Sequence, residues 1–269
     1  MRMIVDGKAM AGQMFEKMRT DVALLSRVPK LVIISCAPNF ETERYLALKQ
    51  KKAQEVGIMI EVLRFDATAT TEDMLVANTT AEESADGIIV QLPLPSTIDT
   101  ARVLASIPPT YDVDALNPVS SEMLSPVVGA IREILNAHDI TPEGKQVTII
   151  GCGKLVGLPA QRWCTEQGAH VSIVTKDTVD IGYYTRPADI IVCGAGVPGL
   201  LTPDMVKEGV VILDAGTTED SGVLRGDADP SCAEKARLYT PVPGGIGPLT
   251  IAILLRNVVD CAQKRQSVV

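Results

Sequence analysis

Short apolar runs alternate with longer mixed stretches over the first ninety or so residues. LVIIS (31–35), IMIEVLRF (58–65) and GIIVQL (87–92) are rich in β-branched residues, whereas ETERYLALKQKKAQEVG (41–57) and residues 71–84 read as helices. Apolar runs without strict alternation suit strands buried on both faces, so this order predicts a parallel sheet with covering helices. A second set follows: QVTIIG (146–151), HVSIV (170–174), DIIVCG (189–194) and GVVILDAG (209–216), with helical segments between the first three. The pattern predicts two α/β units.

Between them, SIPPTYDVDALNPVSSEMLSP (106–126) is rich in Pro, Ser and Asp and reads as a linker running into a connecting helix at about 127–138, with the boundary near 118. At the far end, PVPGGIGPLTIAILLRNVVDCAQKR closes the second unit with a Pro/Gly turn and launches an amphipathic helix. Pro248 stands near its first turn and Thr250 is a candidate cap. If that helix returns to the first domain, the domains are 1–118 with 250–269, and 119–249.

Composition narrows the function. With 269 residues and 46% apolar content, the chain can bury one large core or two modest ones. A net charge of -8 without a block of like charges argues against nucleic-acid and membrane-surface partners, and leaves a small molecule. The opening MRMIVDGKAMAG is interrupted by Asp6 and Lys8, and no later apolar run is expected to reach bilayer length, so a cytoplasmic protein is expected. Six widely spaced cysteines without a C-x-x-C pair read as buried reduced thiols in preference to disulfides or a metal site. Two histidines, His138 and His170, leave acid–base work to Lys, Asp, Glu, Tyr or Cys, and no metal centre is expected.

Four segments are candidates for chemistry. IIGCGKLVGLPA (149–160) follows a strand and opens a helix, the setting in which glycines let amides approach a phosphate. Its Gly151, Gly153, Gly157 spacing is one residue longer than G-x-G-x-x-G, and a plain tight turn is the alternative. Thr175-Lys176-Asp177-Thr178 ends the next strand, where an acid would bind the ribose of NAD and a cation the 2′-phosphate of NADP. Tyr45 and Lys49 share a helix face; the alternative is a packed tyrosine beside a solvated row of Lys49, Lys51 and Lys52. Gln91 stands at a strand's carboxyl end, as ligand or as local backbone partner, and Asp112 and Asp114 in YDVDA are ligands or turn acids. TPVPGGIGPLT (240–250) is a stiffened loop with exposed amides at a helix start.

Together, YLALK, VQLPLP, DVDA, the G-C-G-K-L-V-G-L-P loop and TPVPGGIGPLT resemble the methylenetetrahydrofolate dehydrogenase/cyclohydrolase family in order and interval, over residues 3 to 265. The resemblance implies a folate-binding N-terminal domain, a Rossmann-like NAD(P) domain, an active-site cleft between them, and a homodimer through the second domain. It makes Lys49 the principal catalytic residue, a base or proton shuttle in hydrolysis and a positioning group in hydride transfer. By the same resemblance Tyr45 stacks on the folate, Gln91 holds Lys49 with Leu92 and Pro93 beside it, and Asp114 binds the pterin amino group. Gly244, Gly245 and Pro248 would line the folate and nicotinamide site, and Gly151, Cys152, Gly153 and Val156 the dinucleotide.

The chain departs from that pattern in several places. Gly151-Cys152-Gly153 stands for G-R-S, removing the arginine and serine expected near the 2′-phosphate, while Lys176 brings a cation nearby; NADP is slightly favoured over NAD. Tyr111 replaces a lysine before DVD, Ala115 a glycine after it, and Ser125-Pro126-Val127-Val128 stands for P-C-T-P at the cleft hinge. DAGTT (214–218) stands for D-V-G-I-N and puts Thr217 near the nicotinamide riboside. The rivals are an enzyme with one of the two activities, a dinucleotide or folate sensor, and a Rossmann dehydrogenase with an unrelated substrate.

Overall fold

The computed structural model describes residues 2–117, 123–220 and 222–267. In chain order the elements are β1 (Met3–Ile4), α1 (Gly7–Ala23), β2 (Lys30–Cys36), α2 (Phe40–Val56), β3 (Met59–Phe65), α3 (Thr71–Glu82), β4 (Gly87–Val90), α4 (Thr100–Ala105) and α5 (Pro126–Ala137). Then come β5 (Gln146–Ile150), α6 (Gly157–Glu166), β6 (His170–Val174), α7 (Ile181–Thr185), β7 (Ile190–Cys193), β8 (Val211–Asp214), β9 (Thr218–Asp220), β10 (Val223–Arg225), β11 (Leu238–Tyr239) and α8 (Ile246–Gln266). Two compact units result: Gly12–Pro126 with Ile251–Val269, and Met1–Ala11 with Val127–Thr250.

The first of these units is built on a parallel sheet of order β3-β2-β4. Central β2 is buried along nearly its whole length, which is why its sequence is apolar without alternation. α2 is capped at both ends: Asn39 accepts from Thr42 N, and Gly57 adopts a left-handed φ of 83°. The C-terminal part of α8 belongs to this unit. Arg265 donates to the carbonyls of Asp86 (2.6 Å) and Thr110 (2.9 Å) and lies 3.6 Å from the Tyr111 ring centroid. Gln266 accepts from Ser26 N, and Asn257 donates to Val113 O. Tyr111, which stands where the family resemblance expects lysine, thus serves as an aromatic seat for Arg265. The C-terminal helix returns to the first domain, as expected.

The second unit holds a six-stranded parallel sheet, β1-β11-β8-β7-β5-β6, with β9 and β10 forming a separate antiparallel ribbon. From β5 the chain goes to β6 on one side and to β7 on the other, so the carboxyl ends of β5 and β7 flank the crevice where open α/β sheets take ligands. Two details differ from the sequence reading, and a third lies where the structure is not described. Residues 1–11 join this unit and not the first, because Met3 and Ile4 pair with Leu238 and Tyr239. The boundary near 118 lies outside the described residues. Finally, α8 is long and apolar enough to cross a bilayer by length and composition, contrary to expectation; 67% of its most apolar window is buried within the fold, as in a core helix.

Ser35 is 1% exposed in β2, and its hydroxyl has no hydrogen-bond partner. An unpaired buried hydroxyl costs free energy that a methyl does not. Ser35→Ala is therefore expected to leave stability unchanged or to raise it by about 1 kcal/mol in urea melts; a clear loss would show that the hydroxyl has a partner.

Candidate functional site

Lys49 lies on the inward face of α2, with Leu46 and Ala53 also buried on that helix, and is itself 5% exposed. It is therefore not part of a solvated row. Its ammonium donates to Gln91 Oε1 at 2.9 Å and lies 5.1 Å from the Tyr45 ring centroid. Gln91 follows β4, where its own N–H donates to Ile34 O and its amide donates to Leu92 O at 3.0 Å. β4 ends at Val90, and the Leu92–Pro93 peptide beyond the glutamine is cis. One sheet edge and one helix thus bring the amine and its acceptor together.

Burial lowers the Lys49 pKa from its ordinary value, and the Asp114 carboxylate opposes that shift. Burial in turn raises the Asp114 pKa, which Lys49 opposes. Tyr45 has a hydroxyl pKa pushed up to about 12 by desolvation and by Asp114, and 38% of the residue's surface is exposed. The two acids of YDVDA divide their work. Asp112, 1% exposed, accepts from Leu116 N (3.2 Å) and Asn117 N (2.8 Å) and is a turn acid with a pKa raised by burial to about 6. Asp114 interacts with Lys49 and Tyr45 instead. Ala115 has a left-handed φ of 54°, which accounts for a glycine being expected there.

In the other unit the glycine loop is tightly built. Gly151 has φ 98° and a Cβ on it would lie 2.6 Å from Gly194 O; one on Gly157 would lie 2.1 Å from Gly151 O. One on Gly194 would lie 2.4 Å from Val156. Gly153 has no such neighbour and is exposed, as is Cys152. α6 starts behind Val156 without a side-chain cap; Leu158 N donates to Gly153 O at 3.1 Å and Pro159 has no N–H, so the loop's own backbone closes the helix start. The tight backbone packing at Gly151, Gly157 and Gly194, with Cys152 and Gly153 exposed ahead of α6, fits a loop that presents its backbone to a dinucleotide pyrophosphate. Lys176 and Asp177 are both exposed after β6, in a turn where Thr175 accepts from Asp177 N, and Thr217 is exposed after β8. In the 240–250 loop Gly7 N donates to Gly244 O at 2.9 Å, Gly244 has φ 107°, and Val242–Pro243 is cis. Pro248 lies in the first turn of α8, but Thr250 does not cap it: its hydroxyl donates back to Ile246 O within the helix.

Five of the six cysteines are buried and all are free; desolvation drives the Cys164 thiol up to about 12 and Cys193 well above its ordinary range, so neither is a nucleophile. Among the described residues no cluster of three His, Cys, Asp or Glu side chains could hold a metal. Asp214 and Asp227, at 1% and 0% exposure, are buried acids that the sequence pattern does not single out.

A buried amine held by a glutamine in one parallel-sheet unit, and a glycine loop at the switch point of the sheet in the other, define a two-domain α/β protein of the dinucleotide-binding class. The chain matches the tetrahydrofolate dehydrogenase/cyclohydrolase catalytic domain over residues 5–114 and the NAD(P)-binding domain of the same family over residues 125–266. It belongs to that family. It is 36% identical to the bifunctional protein FolD of Staphylococcus aureus, covering 98% of both chains. The FolD methylenetetrahydrofolate dehydrogenase/cyclohydrolase structure from Campylobacter jejuni superposes with a TM-score of 0.94 at 35% identity, over 97% of this chain and 99% of that one. The Trypanosoma brucei enzyme, solved with NADP and an inhibitor, gives 0.92 at 32% identity over 98% of each.

Proposed function

We infer that this chain oxidises 5,10-methylenetetrahydrofolate to the methenyl form with a nicotinamide dinucleotide and hydrolyses that product to 10-formyltetrahydrofolate. The observation that carries the hydrolase half is the buried Lys49 amine, held by Gln91 and offset by Asp114, within a chain that matches both family domains. Tyr45 offers an open aromatic face for the folate rings, and Asp114 an acceptor for the pterin amino group. Leu92, Pro93, Gly244, Gly245 and Pro248 are proposed to line the substrate.

The bound dinucleotide supplies the hydride acceptor, C4 of its nicotinamide. Gly151, Cys152, Gly153 and Val156 would hold it at the α6 N-terminus, with Thr217 towards the riboside and Lys176 towards a 2′-phosphate. In the hydride step Lys49 and Tyr45 orient the folate, since hydride loss from the methylene carbon needs alignment more than a base. The product is a cation shared by N5 and N10. In the hydrolytic step water adds to its bridging carbon, one proton is released, and neutral Lys49 accepts it. A lysine can do this only when its pKa is lowered, which burial does here and a neighbouring cation would extend. The cyclohydrolase rate is therefore expected to rise with pH through an inflection below lysine's usual 10.5. Asp114→Asn removes the charge that opposes the shift, and should move that inflection lower; an unmoved inflection would contradict the pairing.

Exposed Lys176 supports a slight preference for NADP, while Asp177 beside it supports use of NAD. Initial rates of methylene-tetrahydrofolate oxidation with each dinucleotide test this: faster reduction of NADP, lost in Lys176→Ala, is expected, and faster NAD reduction would assign the turn to Asp177. A cytoplasmic location is supported by the free cysteines. A homodimer through the dinucleotide unit is supported by exposed Val223 and Leu224 on its ribbon. The net charge of -8 supports a small-molecule partner over nucleic acid or a membrane surface.

A further inference from the structure

The loop that follows β7 is fixed by a single carboxylate. Asp227, fully buried, accepts from three successive amides: Ala195 N at 2.6 Å and Gly196 N at 3.2 Å on Oδ2, and Val197 N at 2.8 Å on Oδ1. Its own place is set by Asp214, whose carboxylate accepts from Gly216 N (3.0 Å), Asp227 N (3.2 Å) and Ala228 N (2.8 Å). Glycine is required around this arrangement: a Cβ on Gly216 would lie 2.2 Å from Asp227 Cγ, and one on Gly226 2.2 Å from Asp214 Oδ2. The clamped loop abuts the glycine loop, since a Cβ on Gly151 would meet Gly194 O at 2.6 Å and Ala195 N at 2.9 Å. Thr218 adds a bond from its hydroxyl to Gly196 O at 3.0 Å.

Residues 194–197 follow β7, and Gly151 follows β5, the two strands that bound the crevice at the switch point. We propose that Asp227 is a positioning residue for the dinucleotide: its carboxylate turns three amides inward and so holds the 194–197 backbone as one wall of that crevice. That role presupposes that this unit binds the dinucleotide. A buried carboxylate is suited to it, because its two oxygens together accept all three N–H groups, whereas a carboxamide has one acceptor oxygen and would aim its own NH2 at a backbone N–H.

Asp227→Asn and Thr218→Val test the role. For Asp227→Asn, the Kd of NADP measured by titration calorimetry without folate is expected to rise about tenfold or more, as expected when buried amides lose their acceptor. The KM for NADP should rise with it while kcat at saturating NADP changes much less, and hydrolysis of methenyl-tetrahydrofolate without dinucleotide should stay near wild type. Thr218→Val, which keeps the carboxylate, should raise the Kd by a smaller factor. Wild-type affinity in both variants would overturn the role of Asp227 and leave the functional reading standing. So would parallel losses of NADP binding and hydrolysis in Asp227→Asn with no effect of Thr218→Val, since these report general unfolding. A wild-type protein that binds neither NADP nor NAD would overturn the functional reading and this role with it.

Discussion

Lys49→Met is expected to lower the rate of methenyl-tetrahydrofolate hydrolysis about a hundredfold or more, the scale on which a positioned general base contributes. Methionine is one heavy atom shorter but keeps an unbranched apolar stem, so the gap left at this buried position is small. Gln91 loses its donor but retains its own bond to Leu92 O, and the sheet edge stays intact. Removal of a buried amine also removes the desolvation that lowers its pKa, and thermal melts should show a fold at least as stable as the wild type. Oxidation of methylene-tetrahydrofolate should fall less, because there the lysine orients and does not accept a proton. Full hydrolase activity in the variant would remove Lys49 from the mechanism.

Gly157→Ala is expected to separate the two activities in the other direction. The added methyl would sit 2.1 Å from Gly151 O and 2.9 Å from Cys152 Cα, both backbone atoms, so the turn into α6 must open. The loop ahead of α6 would no longer hold the backbone it presents to a pyrophosphate, and the KM for NADP should rise about tenfold or more. Hydrolysis of methenyl-tetrahydrofolate without dinucleotide should remain close to wild type, because Tyr45, Lys49, Gln91 and Asp114 all belong to the other compact unit. An unchanged KM for NADP would mean that the glycine loop is a plain turn.

How much of this was legible beforehand depended on whether the signal was local. The buried strands β2, β4, β5 and β7 stand out as apolar runs, and α2 and α3 by their mixed composition. The two-residue strands β1 and β11 carry no periodicity, and their pairing joins the chain's start to residue 238, which no local pattern encodes. In α1, Ala11, Phe15 and Met18 recur at helical spacing and Asp6 accepts from Ala9 N at its start, a weak local signal that the apolar-run pattern does not reveal. For the site, periodicity left Lys49 open between a solvated face and a ligand; the family resemblance pointed to Gln91, and the structure supplies the 2.9 Å bond between them. Asp227 was not legible, because its partners at 195–197 are thirty residues away and offer only backbone. Thr250 looked like a cap only because the helix start was placed four residues late.

The most direct test mixes the protein with 5,10-methylenetetrahydrofolate and NADP and follows reduced dinucleotide and methenyl absorbance together. The account predicts steady formation of reduced dinucleotide, matched by 10-formyltetrahydrofolate, without lasting build-up of the methenyl form. Reduction with stoichiometric methenyl accumulation would contradict the hydrolase half and the role of Lys49, and absence of reduction with either NADP or NAD would contradict the dehydrogenase half.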